Sequence, residues 1–435
     1  MRIAQLAPLA EAVPPKLYGG TERVVSWLTE ELVDMGHQVT LFASGDSTTH
    51  ASLEVCSPRA LRLDPDSRDP LLAYSAMLAR LADLASQFDV VHSHLDWLHI
   101  PLLRRLNVPF VTTLHGRIDL PDLDSCFERC FAEALFISIS DAQRAPLPQA
   151  RWAGTVHHGI PENLIKPNFV PQGYLAFLGR ICPEKGPETA IELASAANLP
   201  LKIAAKVDKV DQAYFERKVK PLLDGKNVEF IGEIGEWQKA EFLGNAIALL
   251  FPISWPEPFG LVMVEAMACG TPVIAFRCGS VPEVIEDGAN GFVVDSYDEA
   301  LSAIDRVRFV DRHCVRKCFE HRFTARRMAE DYIRIYQAVI AARMPPPFEQ
   351  AAQLSIQAST ISQQIGDLSS DSLNHDQWLA TLTHFRAAWL RLKQTDLIAD
   401  KGQFRSRFHH PLSYCCPATI FRDILAALFG RLRAG

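Results

Sequence analysis

The chain contains two series of short apolar runs that alternate with longer amphipathic segments. The first series includes RIAQLAP, TERVVSWLTEELVDMGH, QVTLFAS, DVVHSH and PFVTTLHG. The second begins after KPNFVPQG and includes YLAFLGR, GPETAIELASAANL, LKIAAKV, VEFIGEI, AIALLFPIS, TPVIAFR and GFVVD. Strand-length and helix-length segments in alternation indicate a parallel sheet covered by helices on both faces. The sequence therefore predicts an α/β chain with two tandem Rossmann-like, doubly wound domains that face a cleft.

These series also set the predicted domain boundaries. The chain has 435 residues, and single cores seldom grow beyond about 250 residues. We predict a first domain over 1–168, a second over 169–322, and a helix over 323–344 that crosses back to the first domain. Three prolines end that helix. Apolar residues at heptad-like spacing then predict a helical extension over 345–435, through which the chain could form a homo-oligomer.

Charge and cysteine usage exclude several classes of protein. The formal net charge of −7 argues against nucleic acid as a partner, which would need a basic surface. The ten cysteines show no paired C-x-x-C spacing, so they favour reduced thiols and a cytoplasmic location over a disulfide framework or a zinc site. No run approaches the roughly 18 apolar residues of a membrane span, and we expect no transmembrane segment.

Two motifs at the ends of predicted strands suit a phosphate-bearing ligand. Gly19 and Gly20 precede a helix that Thr21 could cap, and the absence of a side chain lets a ligand approach the backbone there. The segment FLGRICPEKG places Arg180 and Lys185 where another strand ends. An arginine fork and a lysine point charge together suit a diphosphate.

The segment SWPEPFGLVMVEAMACGTPVIA carries two carboxylates, Glu257 before a predicted helix and Glu265 in its second turn. We expect them to be on the order of 10 Å apart, from the rise of the helix. A retaining glycosidase needs about 5 to 5.5 Å, so this pair suits that chemistry poorly. It suits an extended ligand, held at both ends with its diphosphate on the free N–H groups around Gly260 and Leu261.

These motifs resemble the family-4 retaining glycosyltransferases of the GT-B fold. The resemblance covers residues 1 to about 342, through YGGTERVVSWLTEELVDMGH, TTLHG, VHHGI, LGRICPEKG and PEPFGLVMVEAMACGTPVIA. It implies that Glu257 holds hydroxyls of the donor sugar and Glu265 the ribose. It also implies that Arg180 and Lys185 neutralise the leaving diphosphate in place of a metal, and that His115 lies beside the sugar.

Three sets of site residues follow from the motifs and the resemblance together. The predicted catalytic set is His115, Arg180, Lys185 and Glu257. The predicted donor-binding set is Gly19, Gly20, Arg180, Lys185, Glu257, Phe259, Gly260, Leu261, Val262 and Glu265. The predicted acceptor-binding set is Lys16, Thr21, Arg105, Arg117 and His158. We expect no metal ion and no cofactor. The UDP-sugar is a substrate.

The resemblance implies front-face transfer of a hexose, most simply glucose, from a UDP-sugar to a sugar or sugar-phosphate acceptor, without a protein nucleophile. One alternative is transfer to fructose 6-phosphate, the reaction of sucrose-phosphate synthases. Others are a GT-B nucleotide-sugar epimerase, a glycogen-type phosphorylase and a non-catalytic sugar-nucleotide-binding protein. His92, His94 and His99 tempt a metal interpretation, but their irregular spacing favours solvated or hydrogen-bonded side chains.

Overall fold

The computed structural model describes residues 1–16, 19–121 and 123–343. The predicted extension over 345–435, and any oligomer contact through it, lie outside the described residues. No helix in the described part of the chain is both long and apolar enough to cross a membrane.

The strands form two sheets. Those of the first are β1 (Arg2–Leu6), β2 (Gln38–Ser44), β3 (Ser52–Ser57), β4 (Val90–Ser93), β5 (Phe110–Thr113), β6 (Leu135–Ser138) and β7 (Arg151–Thr155). Those of the second are β8 (Tyr174–Arg180), β9 (Leu201–Lys206), β10 (Val228–Gly232), β11 (Ala246–Phe251), β12 (Val273–Phe276) and β13 (Gly291–Val294). Their orders are β3-β2-β1-β4-β5-β6-β7 and β10-β9-β8-β11-β12-β13, with every neighbouring pair parallel. The predicted fold class, α/β with two parallel sheets, is confirmed.

Helices connect the strands. They are α1 (Gly20–Asp34), α2 (Pro70–Leu84), α3 (Ile100–Leu103), α4 (Leu123–Cys126), α5 (Asp141–Arg144), α6 (Pro187–Ala196), α7 (Gln212–Tyr214), α8 (Glu236–Gly244), α9 (Leu261–Ala268), α10 (Val281–Val284), α11 (Tyr297–Arg306), α12 (Arg312–Arg322) and α13 (Ala325–Arg343). One buried apolar cluster joins the two halves and includes Leu28 of α1, Val264 of α9 and Met328 of α13.

Helix α1 forms where its pattern predicts it, but it begins differently. Val24, Leu28 and Leu32 recur at helical spacing and are fully or almost fully buried, as an amphipathic helix on a sheet requires. The helix already starts at Gly20, Gly19 is the N-cap residue, and no side chain of the described residues caps it. Our expectation that Thr21 caps this helix is therefore wrong, because Thr21 lies inside the first turn.

Helix α13 runs along the first domain. Its Tyr332 and Tyr336 are fully buried, and their hydroxyls lie 3.1 Å from Thr113 Oγ1 of β5 and 2.6 Å from His92 Nδ1 of β4. These contacts place the last described helix beneath the carboxyl ends of first-domain strands.

Two buried arginines fasten α12 to the segment between the sheets. Arg312 donates to the carbonyl oxygens of Asn168, Gly244 and Ala246 over 2.8 to 2.9 Å. Arg316 donates to the carbonyls of Glu162, Ile165 and Ala268 over 2.7 to 3.0 Å. Most of these bonds satisfy backbone oxygens that are buried, so the two arginines stabilise the connection between the two halves.

Candidate active site

Arg180 and Lys185 follow one another closely at the carboxyl end of β8. The strand ends at Arg180, and a 3-10 turn, Pro183–Lys185, follows it. Gly186 comes next, with a left-handed φ of 65°, and a Cβ there would lie 2.3 Å from the Pro252 carbonyl oxygen. Only glycine allows this close approach. The turn that carries Lys185 is thereby held against the loop after β11.

Glu257 lies in that loop and forms an ion pair with Lys185. The Trp255 indole N–H donates to Oε2 of the same carboxylate over 3.1 Å. The Lys185 and Glu257 side chains are 18% and 14% exposed. A cation from the turn after β8 and an anion from the loop after β11 therefore meet at one partly accessible point.

The first turn of α9 continues from this pair. Gly260 has a φ of 74°, and within the described residues no side chain caps the helix. A Cβ on Gly260 would lie 2.6 Å from Met263 Cε, so the turn depends on glycine. The N–H groups of Leu261 and Val262 belong to the first turn, where helix amides have no intrahelical partner and favour an anion.

Glu265 is 1% exposed, and its partner is a residue that our sequence analysis missed. Lys239 of α8 donates to Glu265 Oε1 over 2.7 Å. A buried carboxylate needs such a partner. Burial lowers the pKa of nearby Arg23, and the Glu265 charge opposes that shift. In the sequence, the only sign of this pair is that Lys239 lies among the apolar residues of EWQKAEFLG. Tertiary packing is needed to identify Glu265 as its partner.

Arg180 is surrounded by carboxylates. Its guanidinium lies 2.9 Å from Glu184, 3.5 Å from Asp211 and 3.8 Å from Asp208. Its side chain remains 31% exposed. The second domain thus presents its cations already paired with anions.

The first domain contributes uncharged rings. His115, just after β5, stacks on His158 with ring centroids 5.2 Å apart. Burial lowers the pKa of His115 to about 3, and it lowers that of His158 well below the ordinary value. Both side chains are therefore neutral near pH 7. Phe259 is 2% exposed and packs edge-on against His158 at 4.9 Å, so its ring joins the two halves.

The histidines at the end of β4 are buried and hydrogen-bonded. His92, His94 and His99 are at most 3% exposed. His99 bridges Ser93 and Thr112 at 2.9 and 2.8 Å. Across the described ranges, no group of three or more potential ligands is arranged to hold a metal ion.

The predicted acceptor residues fall into two groups. Arg117 makes a two-pronged contact with Asp119 at 2.7 and 2.9 Å, and it lies 5.7 Å from the Trp255 ring centroid. It is therefore close to the Glu257 loop, as His158 is through Phe259. Lys16 and Arg105 are exposed, and neither forms an ion pair with any residue that the structure describes.

The glycine pair leaves room beside α1. A Cβ on Gly19 would lie 2.8 Å from Pro15 Cβ, whereas one on Gly20 would meet no atom of the described residues within 4 Å. Gly19 is thus needed for packing of the preceding loop. The backbone at Gly20 stays open to a ligand.

Glu283 of α10 is a second residue that the sequence analysis missed. Its carboxylate accepts N–H bonds from Asp141 and Ala142 of the first domain, both over 2.7 Å, and lies 3.2 Å from His157 Nε2. Burial opposes ionisation, but these bonds together lower the pKa of Glu283. It joins the two domains as an anion.

Two family descriptions match consecutive parts of the chain. "Glycosyltransferase Family 4" matches residues 18–162, and "Glycosyl transferases group 1" matches residues 162–309. Together they span most of the described residues and meet within the segment between the two sheets.

Relatives with assigned activities are distant, and the length of the match differs between them. The phosphatidyl-myo-inositol mannosyltransferase of Mycobacterium leprae (strain TN) is 26% identical over 374 residues, 78% of this chain and 97% of that protein. A D-inositol 3-phosphate glycosyltransferase of Streptomyces griseus is 28% identical over 186 residues, 38% of this chain. That alignment spans only 35% of the Streptomyces protein.

Among solved structures, sucrose-phosphate synthase from Thermosynechococcus elongatus matches with a TM-score of 0.66 and 19% identity. The match covers 79% of this chain and 100% of the other. At this identity the likeness establishes a shared fold.

Proposed function

Since the chain belongs to the family-4 glycosyltransferases of the GT-B fold, we propose that it transfers a hexose from a UDP-sugar to an acceptor hydroxyl with retention of configuration. Glucose is the sugar that we propose first. The transfer uses no metal ion and no cofactor.

The observation that carries this proposal is the Lys185–Glu257 pair beside the uncapped start of α9. The lysine and the amides of Leu261 and Val262 supply positive charge and N–H donors on one side. Glu257 supplies an acceptor for sugar hydroxyls on the other. A diphosphate joined to a sugar presents these two complementary chemistries at adjacent positions.

The same residues account for the chemical step. The bond between the anomeric carbon and the diphosphate oxygen breaks, and the leaving diphosphate gains negative charge. Lys185, Arg180 and the α9 amides stabilise that charge, which is where preorganised electrostatics contribute most. The acceptor oxygen bonds to the same face of the carbon while its proton passes to a leaving-group phosphate oxygen. No protein nucleophile takes part.

Glu265 and Lys239 lie at the other end of the proposed donor site. A ribose hydroxyl that donates to the other oxygen of Glu265 leaves the bond from Lys239 to Oε1 in place. We propose that this contact is common to every donor with the same nucleotide. It therefore contributes to binding rather than to selection of the sugar.

The acceptor lies on the first domain in this proposal, near Gly20, Arg117 and His158. The names of two relatives suggest inositol-containing acceptors. Fructose 6-phosphate is a separate candidate, and the likeness to sucrose-phosphate synthase supports it only through the shared fold. We further propose a reducing cytoplasmic setting, which the free cysteines of the described residues suit.

Purified protein incubated with UDP-glucose, UDP-galactose, UDP-N-acetylglucosamine or GDP-mannose tests the proposal, with mass spectrometry of the products. The acceptor panel contains inositol, inositol phosphate, fructose 6-phosphate and free hexoses. We expect a UDP-hexose to give a product whose anomeric configuration, read by NMR, equals that of the donor. An inverted product, or transfer from GDP-mannose alone, would contradict the proposal.

A further inference from the structure

Behind His115 lies a chain of buried and partly buried hydrogen bonds that none of the roles above uses. His115 Nε2 lies 2.8 Å from His94 Nδ1, and His94 Nε2 lies 3.0 Å from Gln5 Oε1. The Gln5 amide nitrogen donates to the Tyr336 hydroxyl of α13 over 3.3 Å. We call His115, His94, Gln5 and Tyr336 the relay.

From this arrangement we propose that Gln5 and His94 are positioning residues that fix the tautomer of His115, leaving its Nδ1 as a hydrogen-bond acceptor for a hydroxyl of the transferred sugar. The inference rests on the proposed function, in which His115 contacts that sugar. It adds the direction of the hydrogen bond and the residues that set it.

The direction follows step by step from the Gln5 amide. Its oxygen faces His94, so His94 carries its proton on Nε2 and presents a lone pair on Nδ1. His115 must then donate to that lone pair from Nε2. A neutral imidazole has one N–H, which leaves His115 Nδ1 unprotonated.

This assignment requires that the imidazole rings are neutral. A doubly protonated ring would donate from both nitrogens, and it would have no acceptor for a neighbouring donor. Burial lowers the pKa of His94 well below the ordinary value, with the neighbouring histidines acting in the same sense, and burial lowers that of His115 to about 3. Each ring in the relay therefore has one donor and one acceptor at neutral pH.

A second branch of hydrogen bonds runs from Tyr336 to Tyr332, and each donor in it also points away from Gln5. Because the Tyr336 hydroxyl accepts from Gln5, its own proton points to His92 Nδ1, 2.6 Å away. His92 Nε2 then donates to Thr113 Oγ1 over 2.7 Å, and Thr113 can donate to Tyr332 over 3.1 Å. Buried polar groups are stable only when satisfied, and this direction satisfies each of these contacts.

His115 Nδ1 is the end of the relay. It is buried and has no hydrogen-bond partner among the described residues, and the same is true of Nδ1 in the stacked His158 ring. A hydroxyl of the bound sugar that reaches His115 Nδ1 donates to it and satisfies it. A sugar that lacks this hydroxyl leaves the nitrogen unpaired and is discriminated against.

The tautomer can be measured without any substrate. Long-range ¹H–¹⁵N NMR of histidine-labelled full-length protein identifies the protonated ring nitrogen of His115, whose signals are assigned by their loss in His115→Asn. We expect Nε2 protonated and Nδ1 bare at pH 7. A protonated Nδ1 would overturn the inference.

Kinetics provide the second arm. With the sugar donor found active, each monodeoxy analogue of that donor is compared by kcat/KM. We expect at least one deoxy position to lose roughly 10- to 100-fold. Gln5→Met removes both amide contacts at similar volume. In this variant we expect the ratio of kcat/KM between the parent donor and that deoxy donor to decrease to a few-fold. We also expect the NMR signals to show a mixture of His115 tautomers.

Thr112→Val is the matched control, because Thr112 is fully buried and bonded to His99, outside the relay. We expect it to keep the wild-type deoxy ratio even if stability falls. Equal losses with parent and deoxy donors in Gln5→Met would mean a merely structural role and would refute positioning. Absence of turnover with every nucleotide sugar would refute the proposed function, whereas the tautomer measurement decides the inference by itself.

Discussion

The two halves of the molecule present opposite kinds of polar chemistry to the proposed site. The second domain contributes ion pairs, Lys185 with Glu257 and Lys239 with Glu265. The first contributes neutral imidazoles, chiefly the buried His94 and His158 and the half-buried His115. Charge on one side suits a diphosphate, and neutral hydrogen bonding on the other suits sugar hydroxyls. The difference shows how one parallel architecture can serve two parts of a single ligand.

The largest expected effect comes from removing a second-domain cation. Lys185→Ala should lower kcat by roughly 10²- to 10³-fold, because charge develops on the diphosphate as the bond breaks, while UDP binding falls much less. Single-turnover kinetics and calorimetry with UDP measure the two quantities.

The control for this variant is Lys220→Ala. Lys220 is a surface lysine paired with Glu216 one helical turn away. It should leave both quantities unchanged. An unchanged single-turnover rate in Lys185→Ala would contradict the role that we propose for second-domain charge, which is to stabilise the leaving diphosphate.

Acid should next destabilise the first domain through its neutral histidines. His92, His94, His99, His115 and His158 all have a pKa lowered chiefly by burial, to about 3 for His99 and His115. At pH values below about 6.5, the pKa of a histidine in the unfolded chain, the unfolded chain binds protons that the folded chain does not. The free energy of unfolding therefore decreases as the pH is lowered.

From pH 7 to 5.5 we expect a loss of about 1 kcal/mol for each such histidine. Denaturant unfolding at the two pH values measures it. His99→Gln, which removes one buried imidazole outside the relay, should reduce the pH dependence. A free energy of unfolding that stays flat over this range would show that these rings are not held neutral.

A smaller effect is expected at the nucleotide end. Glu265→Ala should weaken UDP binding about tenfold, since one charge-assisted hydrogen bond is lost. It should leave the preference among UDP-sugars unchanged, because the ribose is common to them. Calorimetry with UDP and the donor panel test both parts, and a changed sugar preference would contradict the separation of roles.

The smallest effect concerns metal ions. Because protein cations and α9 amides take the place of a metal in the proposal, EDTA followed by Mg²⁺ or Mn²⁺ should change turnover by less than about twofold. Turnover that is lost in EDTA and restored by one of these ions would instead indicate that a metal ion neutralises the diphosphate.

Prediction from sequence worked best for local structure that depends on contiguous residues. The turn from Arg180 to Lys185 and the glycine start of α9 are local, so strand ends and a helix boundary are enough to identify them. Thr21 shows the limit even there, since the N-cap is Gly19, two residues earlier, and Thr21 has no capping role. Lys239, Glu283 and Gln5 escaped because their partners lie 26, 142 and 89 residues away.

The sequence by itself determined the two parallel sheets and the positions of the strand-end motifs, because apolar periodicity and glycine backbone freedom act over a few residues. Tertiary structure alone decided which carboxylate pairs with which lysine and which histidines stay neutral. Those outcomes depend on burial, and on the order of strands within each sheet. Both arise only when distant segments pack together and exclude water.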